Sequence, residues 1–446
     1  MQHRRDFLKL AAAGFSATSL SGWLPLLADQ TAGKLDHPKS CILLWMPGGP
    51  SQVDTFDPKP DHENGGEFEA IQTSVPGIQI AEHLPKVAQQ MEHLAIIRSM
   101  KTKEGDHGRA TYHLRTGYRP SGPISYPTLG SLVGNEFELN RASIPNYVSI
   151  LSNPVLNPGA FGPGFLGPQH APLLVGGENR IAGGDDEMPE FGAPLEVQNV
   201  ERRDTVSDRQ SRSRLELLEF VEARFSLQRP GLPTESHRTA YQQAVQMMNS
   251  KAMSAFNLDE EPTELREAYG RNRFGQGCLL ARRLVERGVP FVEVALGGPN
   301  GENQIGWDTH VENFTAVSAL CGTLDPAWST LIQDLNDRGL LESTTIVWMG
   351  EFGRTPGINP QTGRDHFPNA WSTVLAGGGI RGGQVFGATS DSGMEVTDQP
   401  VAVNQLIATI MAAMGIDHTN QNMSSVGRPI RLAEPDVEPI KELIVG

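Results

Sequence analysis

Acids, imidazoles and guanidines collect in five short, glycine-punctuated clusters of this 446-residue chain. They are Gly48-Gly49-Pro50-Ser51-Gln52-Val53-Asp54, Glu104-Gly105-Asp106-His107-Gly108-Arg109, Gly306-Trp307-Asp308-Thr309-His310, Gly350-Glu351-Phe352-Gly353-Arg354-Thr355 and Gly363-Arg364-Asp365-His366-Phe367-Pro368. Carboxylates combined with imidazoles are the ligand set for zinc and similar divalent ions. Asp308-x-His310 is the best single pair, because an extended backbone would put both side chains on one face. Glu351 and His366 are expected to complete the metal site. The alternative is that these groups only hydrogen-bond one another and hold the loops. Arg109, Arg354 and Arg364 sit in the same clusters, and their forks suit sulfate, phosphate or carboxylate. Loop-pinning salt bridges are the alternative for each. Lys59 reads as a surface or structural residue.

The surrounding elements must bring these clusters together. Residues 40–47 form a continuous apolar run ending in Gly48-Gly49, the pattern of a fully buried strand in a parallel sheet. Further strands are expected at 93–100, 146–151, 290–296, 344–349 and 371–376. Helices are expected at 84–91, within 107–115, and at 128–139, 311–338 and 399–414. Residues 152–200, rich in Gly and Pro, read as a long functional or capping loop, and 201–287 as mostly helical. Alternating strands and helices imply a three-layer α/β sandwich with a mostly parallel central sheet. In such sheets ligands bind outside the carboxyl ends of the strands, so the five clusters, each expected to follow a strand, would converge on one rim.

The formal net charge is −15, which disfavours nucleic acid and anionic membranes as partners. Three scattered cysteines, Cys41, Cys278 and Cys321, are too few for a disulfide framework, although one bridge is conceivable; Cys41 reads as a buried thiol. The N-terminus carries Arg4-Arg5-Asp6-Phe7-Leu8-Lys9 before a weakly apolar stretch to Ala28. Residues 1–32 therefore read as a twin-arginine export signal, with the twin-arginine translocase as a transient partner and a periplasmic or secreted destination. No later run is apolar enough for stable membrane insertion. Gly377-Gly378-Gly379-Ile380-Arg381-Gly382 formally fits a dinucleotide fingerprint, but a strand or turn follows where a helix is required.

The export signal, Met46 to Pro60, Gly306 to His310, Gly350 to Pro356 and Gly363 to His366 together resemble an uncharacterised exported family, the domain of unknown function 1501. That family looks distantly similar to the alkaline phosphatase and sulfatase superfamily. The resemblance implies one alkaline-phosphatase-like domain over residues 33–446, with a loop-rich and helical insertion at about 152–287. It further implies a divalent metal, zinc first with manganese or calcium as alternatives, and hydrolysis of phosphate or sulfate esters on an anionic small molecule or carbohydrate. Asp308-Thr309-His310 resembles the superfamily's ligand segment at shorter spacing, His366 its late histidine, and Glu351-Phe352 its Asp-His pair. Arg109-Ala110 and Thr116-Gly117 resemble its nucleophile segment, but His107 stands at the nucleophile's place. On this reading Asp54 or His107 acts as general base or acid, and Arg109 or Arg354 holds the anion. The competing expectation is a catalytically inactive relative that binds a ligand or assists assembly outside the cytoplasm.

Overall fold

The computed structural model describes residues 40–445, except 138–143, 153, 155, 177–194, 196, 198–204, 229–237, 239, 240, 243, 249, 250, 301 and 303. The expected export signal therefore lies outside the described residues.

Among the described residues nine strands form the main sheet: β1 (Ser40–Trp45), β2 (Leu94–Lys101), β3 (Tyr147–Ile150), β4 (Leu173–Val175), β5 (Phe291–Ala295), β6 (Thr344–Met349), β7 (Trp371–Gly377), β8 (Gln384–Phe386) and β9 (Val401–Ala402). The order is β8-β2-β7-β6-β1-β5-β3-β4, with β9 also paired to β2. β1 lies at the centre, parallel to β5 and β6, and all six of its residues are buried. Its alternating side chains feed two cores: Ile42, Leu44 and Met46 on one face, Cys41, Leu43 and Trp45 on the other.

Helices cover both faces, completing the three layers. α1 (His107–Thr116), α2 (Leu129–Glu136) and α5 (Val403–Ala413) contribute Leu114, Leu132 and Leu406 to the core containing Trp45. α3 (Arg273–Glu286) and α4 (Asn313–Asp337) contribute Leu280 and Trp328 to the core containing Leu44. α3 packs into this core although it lies within the expected insertion at 152–287. The expected helix at 84–91 is a single turn, Pro85–Ala88, followed by a 3-10 turn at Met91–His93. Short strands β4 and β9 were not expected, whereas β8 falls where a strand or turn was read after the glycine run.

β7 is antiparallel to both β2 and β6. Its beginning therefore lies at the rim where the parallel strands end. The fifth cluster, 363–368, precedes β7 instead of following a strand, and reaches the common rim by this reversal.

A buried ion pair joins α1 to β5. Arg115 and Glu293, both buried, are joined at 2.8 and 2.5 Å, and Tyr147 donates its hydroxyl to the same carboxylate at 2.7 Å. All three cysteines are free and buried, and desolvation pushes their thiols well above the ordinary range. The glycine run at 377–379 is a turn after β7, with Gly377 and Gly379 at positive φ, so the dinucleotide reading is excluded by its context.

Candidate metal centre

Three segments at this rim bring three imidazoles around one carboxylate oxygen. Asp308 Oδ1 lies 3.2 Å from His107 Nε2, 3.1 Å from His310 Nε2 and 3.3 Å from His366 Nε2. His107, Asp308 and His366 form the tightest set, each offering a donor atom within 4.8 Å of the others. The opposite nitrogen of each ring is held by an acceptor. His107 Nδ1 lies 2.6 Å from Glu351 Oε1, His310 Nδ1 2.8 Å from Asp365 Oδ1, and His366 Nδ1 2.8 Å from the Gly105 carbonyl. Acceptors at Nδ1 place a proton there, so Nε2 is the nitrogen each neutral ring would offer to a cation beside Asp308.

The loops are held by local chemistry. Gly48, at φ +111°, donates its N–H to Glu351 Oε1 at 2.9 Å, and a Cβ there would overlap the Asp308 backbone nitrogen. Gly363 abuts the His310 carbonyl, where a Cβ would overlap it. Arg364 N–H donates to Thr309 O at 2.9 Å, so the segments carrying His310 and His366 run side by side. His107 opens α1 behind Asp106, whose side chain caps the helix by accepting from Arg109 N–H. Phe352, fully buried, packs its ring 4.9 Å from His107 and 4.7 Å from His366.

Arrangement and electrostatics fit a divalent ion. Ligand atoms about 2.0–2.1 Å from a tetrahedral zinc stand about 3.3 Å apart, the spacing found around Asp308 Oδ1. His107 Nε2 is buried and makes no well-directed hydrogen bond despite its nearness to Asp308, as does Glu351 Oε2. Without a cation, the cluster balances its charge by protonation. Burial opposes a charged His107, but the adjacent carboxylates of Asp308 and Glu351 prevail and raise it to about 9. Burial likewise opposes the Asp308 carboxylate, yet His107, His366 and the Arg354 guanidinium hold its pKa well below the ordinary range.

Several expected roles are corrected by position. Glu351 is fully buried behind His107 and holds that ring, so His107 and not Glu351 faces Asp308. Asp54 is no candidate base. It is fully buried and both oxygens bind Arg364, at 2.7 and 2.9 Å, with Asn313 Nδ2 adding a bond at 2.8 Å. Arg354 is equally buried. It donates to Asp308 Oδ1 at 2.6 Å, to Gly49 O at 3.1 Å and to Gly48 O, so it braces a ligand and cannot reach a substrate anion. Arg109 faces outward and pairs with Glu104 through two bonds, at 2.7 and 3.1 Å. Lys59 binds Asp57 at 2.9 Å, a structural contact as expected. Two contributors were missed. Asp365 was quoted within its cluster without a role, and the Gly105 carbonyl carries no side-chain signal at all.

No curated protein sequence matches this chain. Among solved structures, a lipoteichoic acid synthase, LtaP, from Listeria monocytogenes is similar at a TM-score of 0.38 and 9% identity, covering 89% of this chain and 74% of that one. A phosphonate monoester hydrolase, SpPMH, from Silicibacter pomeroyi gives 0.36 and 12%, covering 90% and 75%. The PsFucS1 sulfatase from Pseudoalteromonas sp. gives 0.33 and 14%, covering 88% and 70%. The family model described as protein of unknown function (DUF1501) matches residues 38–444, and the chain belongs to that family.

Proposed function

We propose that the protein is an exported, metal-dependent hydrolase of phosphate or sulfate esters carried on sugars. The convergence of three imidazole Nε2 atoms on Asp308 Oδ1, each ring anchored through Nδ1, carries this reading. His107, Asp308 and His366 would hold the ion, with His310 at the open side, where its side chain is 41% exposed. A donor set of nitrogens and one carboxylate suits zinc, and suits calcium poorly, since calcium prefers six to eight oxygens. When bound, such an ion lowers the pKa of a water and polarises an ester oxygen.

The chain's own residues provide positioning. Glu351 and Gly105 fix the tautomers of His107 and His366, and Arg354 keeps Asp308 ionised and in place. All three cysteines are buried, and His107 stands where the family resemblance would put a nucleophile, so the proposed reaction is a direct hydrolysis. A second reading is favoured by the burial of Arg354 and Arg364: a non-catalytic relative that binds a ligand at the same centre.

The test is turnover of aryl phosphate, aryl phosphonate and aryl sulfate by zinc-loaded protein, beside Asp308→Ala. Zinc-dependent turnover lost in the variant supports the hydrolase. Bound zinc with no turnover of any of the three supports the binding protein.

A further inference from the structure

We propose that the surface beside this centre binds the neighbouring anionic groups of a multiply sulfated or phosphorylated saccharide. The inference rests on the hydrolase reading for the identity of the group held at the metal. Within a chain of net charge −15, residues 98–119 contain six basic side chains and only two acidic ones, Glu104 and Asp106. Two of the six are committed elsewhere. Arg115 is buried on Glu293, and Arg98 donates to the Phe56 and Gln79 carbonyls. Lys101, Lys103, Arg109 and Arg119 remain exposed. The Arg109 and Arg119 side chains are 53% and 48% exposed and share one carboxylate, Glu104, at 2.7 and 3.8 Å. Asp106 opposes them, and is engaged in capping α1.

This basic surface is continuous with the metal centre. Gly105 O accepts from His366 Nδ1 at 2.8 Å, and Thr102 N–H donates to Pro368 O at 2.9 Å. Residues 101–109 therefore run along the segment that carries His366. Two or three residues of extended chain span about 10 Å, the separation of adjacent substituents on an oligosaccharide rather than of two oxygens on one anion. One sulfate at the metal leaves these four exposed cations, two of which pair with Glu104, without a full counterpart. A polyanion supplies one, and the local positive field would concentrate it against an otherwise repelling surface. The strong overall negative charge disfavours a long nucleic acid.

The test uses zinc-loaded full chain and calorimetry, with a multiply sulfated hexasaccharide, a monosulfated disaccharide and a single-stranded oligonucleotide as probes. Lys101→Gln/Lys103→Gln removes two exposed cations that have no ion-pair partner among the described residues, so folding is expected to be preserved. Arg109→Gln/Arg119→Gln provides a second variant. The expected result is hexasaccharide binding weakened about tenfold or more in either variant, with the monosulfated probe changed far less. Equal weakening of both saccharides, no hexasaccharide binding by the wild type, or oligonucleotide binding as tight as the hexasaccharide would overturn the proposal. Binding is read without turnover. A protein that binds the hexasaccharide but hydrolyses nothing sinks only the hydrolase reading. An active hydrolase that shows no preference for the polyanion sinks only this inference.

Discussion

Glu351 Oε1 stands 2.6 Å from His107 Nδ1, on the opposite side of the ring from Asp308. A residue that looks from sequence like a ligand therefore acts on a ligand. Removing such a partner typically costs 10–100-fold in metal affinity. Glu351→Ala is expected to lose about that much zinc affinity, measured by competition with a chelating dye, and Glu351→Gln less, because its amide oxygen can still accept from Nδ1–H. Equal affinity in all three proteins would remove Glu351 from the account.

Zinc and protons compete for His107. The carboxylates of Asp308 and Glu351 beside it raise the cation-free imidazole to about 9, so it is protonated at pH 7.5 and must lose that proton to bind metal. Binding at pH 7.5 is expected to release about one proton from this ring. Apparent affinity should rise with pH until the titration is passed near 9. Calorimetry in buffers of different ionisation enthalpy reads the proton count directly; no release would show that His107 is not a ligand.

Asp54 and Arg364 form a fully buried bidentate pair joining the loop after β1 to the loop before β7. Breaking one partner strands the other's charge. Asp54→Ala is expected to destabilise folding by about 3–5 kcal/mol, measured by denaturant titration. Folded variant should retain its zinc stoichiometry, since Asp54 touches none of the ligands. Unchanged stability with lost turnover would instead restore Asp54 to the role of general base.

The central strands were legible because a strand buried on both faces must be apolar throughout, as Cys41 to Trp45 is. The clustering of acids and imidazoles was legible for a related reason: such groups beside glycines at strand ends have few purposes other than a rim site. What could not be read was which side of each group faces the site. Asp54 and Arg364 are separated by 310 positions, and nothing local distinguishes a buried ion pair from a catalytic base. The direction of β7 was equally hidden, because antiparallel and parallel buried strands share one apolar pattern. That reversal is what brings His366 to Asp308. His107 was placed at the rim, but as an acid or base, since its ligand role depends on Glu351 approaching from behind.

The measurement that bears most directly on the account is metal content per folded chain. Protein purified without chelator would be compared with a His107→Ala/His366→Ala double variant by elemental analysis, with folding checked by circular dichroism. The account predicts about one zinc per wild-type chain and almost none in the variant, since three protein ligands leave one closely held ion. A folded wild type that binds no zinc even after reconstitution, or a variant that retains it in full, would contradict the metal centre at Asp308.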